Sequence, residues 1–397
     1  LNQVTLAGAG INATFLDGEN NHRLLMAWDD LNVTLRDLTC QNGYHWQRGA
    51  AIGTSHCHWD ITSVKFTGCV GEDFDGAVTG EWSDMTFNHC IFQSNTASNH
   101  GGALDFSKSL VNLYNCLLVY NDSWGGGASY AFDSDFQIIN STITDNTARD
   151  KGGMLYGMSN MVHCLNSIIW GNIPDAIDIG STLDIIYCDF QDGIPGNGNI
   201  NADPLFTSGP DGAYYLGQTT TWQSNSGKAD SEQADSEQAD SEQADSGQDG
   251  SNQGSDSPCL DAGNAPASEI ILGEISLDTL TTRTDRVGDA GQVDMGFHYP
   301  ISHQCAASGC SIIMPSTSFT AGDMVSCDVA LCNLSLSTMA DLKVFVILDY
   351  MGALYFAPGF SEFDYTSVTL EPGVTTLEVL PPFAWPEGAG SASGLYW

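Results

Sequence analysis

Short apolar runs recur along the first two hundred residues, each alternating with polar positions at period two and broken by Asn and Gly. Aligned on Cys90 in Phe87-Asn88-His89-Cys90-Ile91-Phe92, the equivalent positions are Leu38, Val64, Cys90, Cys116, Ser141, Ser167 and Cys188. Their spacings are 26, 26, 26, 25, 26 and 21 residues. Two residues on stand Cys40, Phe66, Phe92, Leu118, Ile143, Ile169 and Phe190, and three before stand Leu35, Ile61, Phe87, Leu113, Ile138, Cys164 and Ile185, all apolar. Five residues after the reference, Asn95, Asn121, Asn146 and Asn172 recur, with Gly43 and Gly193 in the flanking repeats and Cys69 as the exception. Asn115, Asn140 and Asn166 stand one residue before it, and Gly49, Gly76, Gly102, Gly127 and Gly153 mark a further turn.

Asn and Gly tolerate the positive φ that sharp corners demand, so they mark where short strands end. A single repeat has no facing layer and must bury its apolar residues against its neighbours. Stacking puts equivalent residues about 4.8 Å apart, which makes ladders of like side chains: ring on ring inside, amide on amide at corners. The pattern predicts an all-β chain, a right-handed parallel β-helix with coils of about 26 residues. Leucine-rich repeats would need a Leu-x-x-Leu-x-Leu signature that is absent, and a propeller blade needs about 40 residues.

The pattern changes twice further on. Residues 223–256 repeat Ala-Asp-Ser-Glu-Gln from Ala229 and hold no side chain that could form a core, so an acidic insertion is expected within a 1–300 unit. From about 306, Met324–Cys332, Leu342–Tyr350 and Ser367–Val379 alternate like antiparallel strands around turns such as Glu371-Pro372-Gly373. That predicts an immunoglobulin-like sandwich over 306–397.

Val4-Thr5-Leu6-Ala7-Gly8-Ala9-Gly10, Thr14-Phe15-Leu16-Asp17-Gly18 and Val33-Thr34-Leu35-Arg36-Asp37-Leu38-Thr39 resemble secreted bacterial right-handed β-helix repeat proteins of the pectate-lyase-like fold. Asn201-Ala202-Asp203-Pro204-Leu205-Phe206, Ser257-Pro258-Cys259-Leu260-Asp261-Ala262-Gly263, Thr281-Thr282-Arg283-Thr284-Asp285 and Val293-Asp294-Met295-Gly296-Phe297-His298-Tyr299-Pro300 resemble the closing segment of that group. The resemblance implies a secreted or cell-surface protein. Resembling chains run further than Trp397, which implies a sandwich cut short here, and Leu1 opens inside a strand pattern, as in a trimmed product.

Charge narrows the partners. The 397 residues carry 49 acidic against 11 basic side chains, a net −38. That field repels nucleic acid and anionic lipid, and it disfavours a polyanionic substrate such as pectin. No apolar run approaches the roughly 18 residues of a membrane helix, so no membrane span is expected. Cys40, Cys90, Cys116, Cys164 and Cys188 fall on inward positions and read as buried thiols, with a Cys90–Cys116 disulfide as the alternative. Cys305, Cys310, Cys327 and Cys332 cluster near the sandwich, where a secreted context favours disulfides.

Candidate chemistry is sparse. The fold of the resembling group is shared with pectate lyases, polygalacturonases and pectin esterases, and an inverting hydrolase needs paired carboxylates across a groove. Asp133 and Asp135 are the nearest pair, and Arg149-Asp150-Lys151 has Arg-x-Lys spacing, but no His-Gly accompanies them. Glu72, Asp73 and Asp75 form one acidic turn and Asp285, Asp289 and Asp294 a second set; these hard oxygens would suit Ca²⁺. His56 and His58 would share a strand face, without a third ligand at fixed spacing. Trp46, Trp59, Trp82, Trp124 and Trp170 read as corner residues, and exposed rings on a ladder can stack on sugars. The function expected is that of a non-catalytic, secreted or surface β-helix, a rigid spacer or adhesin binding an extracellular polysaccharide or glycan. The alternative is a polysaccharide lyase or glycoside hydrolase.

Overall fold

The computed structural model describes residues 3–301 apart from 73–75, 175, 210, 219–255, 274 and 285, and beyond them the backbone of nine strands between 309 and 393. The acidic insertion thus lies outside the described residues, except for Asp256. The middle coils each lay down four short strands or strand halves, and each strand pairs in parallel with its equivalent one coil away. The first ladder runs through Leu25–Trp28, Ile52–Ser55, Val78–Glu81, Leu104–Ser107 and Ser129–Phe132, then the leading halves of Leu155–Leu165 and Ile177–Ile186. The second includes Asp84–Asn88, Leu110–Tyr114 and Asp135–Ile139, and the third Ile91–Gln93, Leu117–Val119 and Thr142–Thr144. A fourth, from Tyr44–His45 to Thr147–Lys151, is a separate five-stranded sheet. The result is a parallel β-solenoid.

The periodic alignment holds in register: Leu38 pairs with Val64, and Lys65, Ile91, Leu117, Thr142, Ile168 and Asp189 follow one another up the third ladder. One coil more than expected precedes it, since Gln3–Ala7 and Phe15–Asp17 both pair with Asn32–Gln41. Gly49 stands one residue before the column in which the repeat places it. Ala50 stands against Gly76, whereas Gly49 shares positive φ with Gly101, Gly126 and Gly152. The coils also touch closely at the other glycine column: a Cβ on Gly102 would lie 2.3 Å from the carbonyl of Gly127.

Inside, Phe66 and Phe92 stack at 4.9 Å, and Phe87 meets Phe92 edge-on at 5.2 Å. Asn95, Asn121, Asn146 and Asn172 are buried and form an amide ladder, each Nδ2 donating to the next Oδ1 at 2.9–3.0 Å. The same Oδ1 atoms accept a backbone N–H, and the same Nδ2 groups donate to the carbonyls of Phe66, Phe92, Leu118 and Ile143. A second corner ladder links the backbone amides of Cys57, Ser83 and Ser109 to the hydroxyls of Ser83, Ser109 and Ser134. All eight described cysteines, the five inward ones among them, are buried free thiols. The four at 305–332 lie outside the described side chains.

The recurring Asn115, Asn140 and Asn166 have a second use. They take positive φ at a corner and hold the closing segment: Asn115 exchanges hydrogen bonds with the backbone of His298, Asn140 donates to Asp294 O, and Asn166 bonds Asn264. Further along, Cys259 donates to Asp189 Oδ2 at 3.2 Å. Asp189 is fully buried, and that desolvation raises its pKa to about 6. Because the folded pKa exceeds the unfolded one, its contribution is complete below about pH 4 and is lost as pH rises through 6. Asp189→Asn should therefore flatten this component. Relative to the variant, the wild type should lose about 2–3 kcal/mol between pH 4 and 7, measured by urea unfolding across pH.

Beyond the solenoid, Gly309–Ile313, Met324–Asn333 and Gly373–Ala384 form an antiparallel three-stranded sheet. Met339–Val344 and Val346–Tyr350 fall where the strand over 342–350 is expected, and Thr366–Leu370 and Gly373–Ala384 where the one over 367–379 is expected.

Candidate functional site

Alternation along the first ladder turns Val78 and Gly80 inward and Thr79 and Glu81 outward. Register then builds two outward columns. One reads Met26, Gly53, Thr79, Asp105, Tyr130, Tyr156; the other reads Trp28, Ser55, Glu81, Ser107, Phe132, Met158. Both are polar in the middle coils and apolar or aromatic at the ends, where Met26, Trp28, Phe132 and Met158 are exposed. Over the polar middle lies a cleft of about 430 Å³, within the size range of small-ligand sites. Thr79, Glu81, Asp105 and Ser107 form its floor. Gln47 and Arg48 close one end, and His100 with Tyr130 the other.

The cleft is held firmly. Arg48 Nη1 pairs with Glu81 Oε2 at 2.6 Å. Arg23 fastens the turn that carries Arg48: its Nε donates to Gly49 O at 3.0 Å, and its Nη2 to Arg48 O and to His45 Nδ1. His45 Nδ1 also accepts from Gln47 N, so its proton sits on Nε2; burial, and after it the charge of Arg23, lowers its pKa. At the other end His100 stacks on Tyr130 at 4.2 Å, and Tyr156 meets Tyr130 at 5.7 Å. One group is left over. Thr79 is only 6% exposed, and its outward Oγ1 has no hydrogen-bond partner.

Three of the five tryptophans read as corner residues flank this face, while Trp170 ends the third-ladder strand Ile168–Trp170 and packs, partly buried, against the closing segment. Trp46 precedes Gln47 and Trp124 precedes Gly125, both on the turn side, while Trp82 follows Glu81 at the opposite corner; all three are exposed. Trp82 is fixed between His56, stacked at 6.2 Å, and Lys108, whose ammonium lies 4.4 Å over the ring. Trp59 is a correction. It lies inside the solenoid at 2% exposure, its Nε1 donating to Thr54 Oγ1, because the strand starts at His58 and its second residue faces inward. His56 belongs to the preceding corner at φ 56, so the two histidines share no strand face.

Asp133 occupies the corner column of His56, Trp82 and Lys108, and Asp135 opens the next strand; both are exposed and neither lines the cleft. The carboxylates the cleft brings together are Glu81 and Asp105, which the sequence reading passed over. Counting outward positions after each Gly-Ala would have found them: Ala77-Val78-Thr79 and Ala103-Leu104-Asp105 stand in register.

Of the first acidic turn only Glu72 is described, and it is exposed; Asp73, Asp75 and Asp285 lie outside the described residues. Asp289 and Asp294 are buried and already used. Asp289 Oδ2 meets His298 Nε2 at 2.8 Å and accepts Asp294 N, while Asp294 accepts Asp261 N and the Thr282 hydroxyl. Burial and then Asp289 raise the pKa of Asp294. These acids lock the closing segment, and among the described residues no three metal-ligating side chains gather. Nor is any helix among them long and apolar enough to cross a membrane. No protein-family model, curated protein or solved structure matches the chain, so the parallel β-solenoid rests on its own ladders.

Proposed function

We propose that this chain is a non-catalytic, secreted or surface-displayed right-handed β-helix. It acts as a rigid spacer or adhesin that binds glycan along the outer face of its first ladder, with an immunoglobulin-like module after 306 as connector. The observation that carries the reading is that face itself, a polar cleft between exposed rings on a backbone that every coil braces. Rings supply flat apolar area, and the Thr, Ser, Asp and Glu floor supplies hydroxyl partners.

One observation favours the alternative, a polysaccharide hydrolase or lyase: Glu81 and Asp105 share the cleft with Arg48. Screening the full chain on a glycan array, with reducing-end and unsaturated-product assays on the bound polysaccharides, separates the two. Binding without product is the expected outcome. Product release that disappears in both Glu81→Gln and Asp105→Asn would replace the adhesin reading with the enzyme.

A further inference from the structure

The closing segment is fastened to one corner column, and one member of that column differs from the rest. His89, Asn115, Asn140 and Asn166 take the same positive-φ corner in successive coils. The three asparagines each bond the segment. His89 does not: both its ring nitrogens are buried without a hydrogen-bond partner, as is the neighbouring Asn88 Oδ1. Parts of the same segment lie beside them. Asn115 holds His298 one coil above His89, and a Cβ on Gly273, in the Ile271–Ser276 hairpin, would stand 3.7 Å from Asn88 Oδ1. A neutral imidazole fits this place and an imidazolium does not. Its charge would be desolvated and would face His298, whose two ring nitrogens already meet Gly296 O and Asp289 Oδ2. The hairpin strands Ile271–Leu272 and Ile275–Ser276 carry no charge, and Glu274 lies outside the described residues. On the solenoid, Ser63 and Asn115 flank His89 in its column, Cys90 is a buried thiol, and Tyr114 gives its hydroxyl to Gln137 Oε1. Burial first, and the charge of His298 second, lowers the His89 pKa to about 4.

We propose that His89 is an acid-sensitive latch: a proton on its ring releases the closing segment from the outer face it covers, while the coils beneath stay paired. With the segment released, the ring returns to its ordinary pKa of about 6.5. Because the closed value is the lower one, the latch holds above about pH 6.5 and weakens as pH falls below it. Asp189 and Asp294, whose pKa values are raised, titrate in the opposite sense at the same interface, so the test compares the wild type with a variant that keeps both. His89→Asn suits the positive φ and cannot be protonated. Hydrogen exchange of the full chain, read by mass spectrometry and normalised for the intrinsic effect of pH, follows peptides from 289–300 and from 104–119. Opening of 289–300 in the wild type, relative to His89→Asn, should rise about a hundredfold from pH 7 to pH 4, with 104–119 unchanged. A constant ratio overturns the latch. An equal rise in 104–119 overturns it too, since the whole solenoid would then be unfolding. If His89→Asn does not fold, His89→Gln takes its place. Ring titration of the wild type by NMR must still show a histidine with its midpoint near 4; none below about 5 overturns the latch.

Discussion

Asn121→Ala should destabilise the protein by about 4 kcal/mol, one of the largest effects available to a single substitution. The residue sits at the middle of the amide ladder, fully buried. Its Oδ1 accepts from the backbone N and the Nδ2 of Asn95, both at 3.0 Å, and its Nδ2 donates to Phe92 O and Asn146 Oδ1. Alanine removes every one of these at once. The Asn95 backbone N–H then has no acceptor, and the Phe92 carbonyl loses its side-chain donor, both in the buried interior. Each stranded group costs about 1–3 kcal/mol, against a total stability of about 5–15. Asn112→Ala is the matched control, since Asn112 bonds Thr86 Oγ1 only on the outer surface. It should cost well under 1 kcal/mol, and urea unfolding of the two variants would show the contrast. Equal effects would mean that the amide ladder does not hold the coils together.

Phe92→Ala should cost about 3–5 kcal/mol, through a different mechanism. Its ring lies flat on Phe66 and against the edge of Phe87, so truncation opens a cavity that three coils line. The solenoid limits collapse, because closing the gap would require coils pinned by backbone ladders on both sides to move. Phe92→Leu keeps most of the volume and should cost below about 1.5 kcal/mol. A lower urea midpoint with unchanged slope would place the loss in packing; a reduced slope would show the stack unzipping in parts.

The solenoid itself was legible in the sequence because stacking forces periodicity. Cys90, Cys116, Ser141 and Ser167 must repeat if their coils are to pack, and Asn95 must recur as Asn121 if its amide is to be satisfied. The binding face was not legible in the same way. Outward positions carry no packing constraint, so Thr79, Asp105 and Tyr130 share a column without sharing chemistry, and no single-residue pattern connects them. Only the register does. Trp59 went astray for a related reason: a one-residue uncertainty about where the strand starts reverses the side a ring faces. Asp289 and Asp294 looked like free hard ligands because their partners, His298 and Thr282, meet them only once the closing segment folds.

The claim that matters most is that the outer face of the first ladder, and no other, binds glycan. Isothermal titration of the full chain with neutral oligosaccharides tests it directly, comparing wild type with Tyr130→Ala on that face and Met161→Ala on the outer face of the second ladder, where Met161 is exposed. The expected result is a loss of about tenfold or more for Tyr130→Ala, with Met161→Ala indistinguishable from wild type. Retained binding by Tyr130→Ala, or an equal loss in Met161→Ala, would contradict the account.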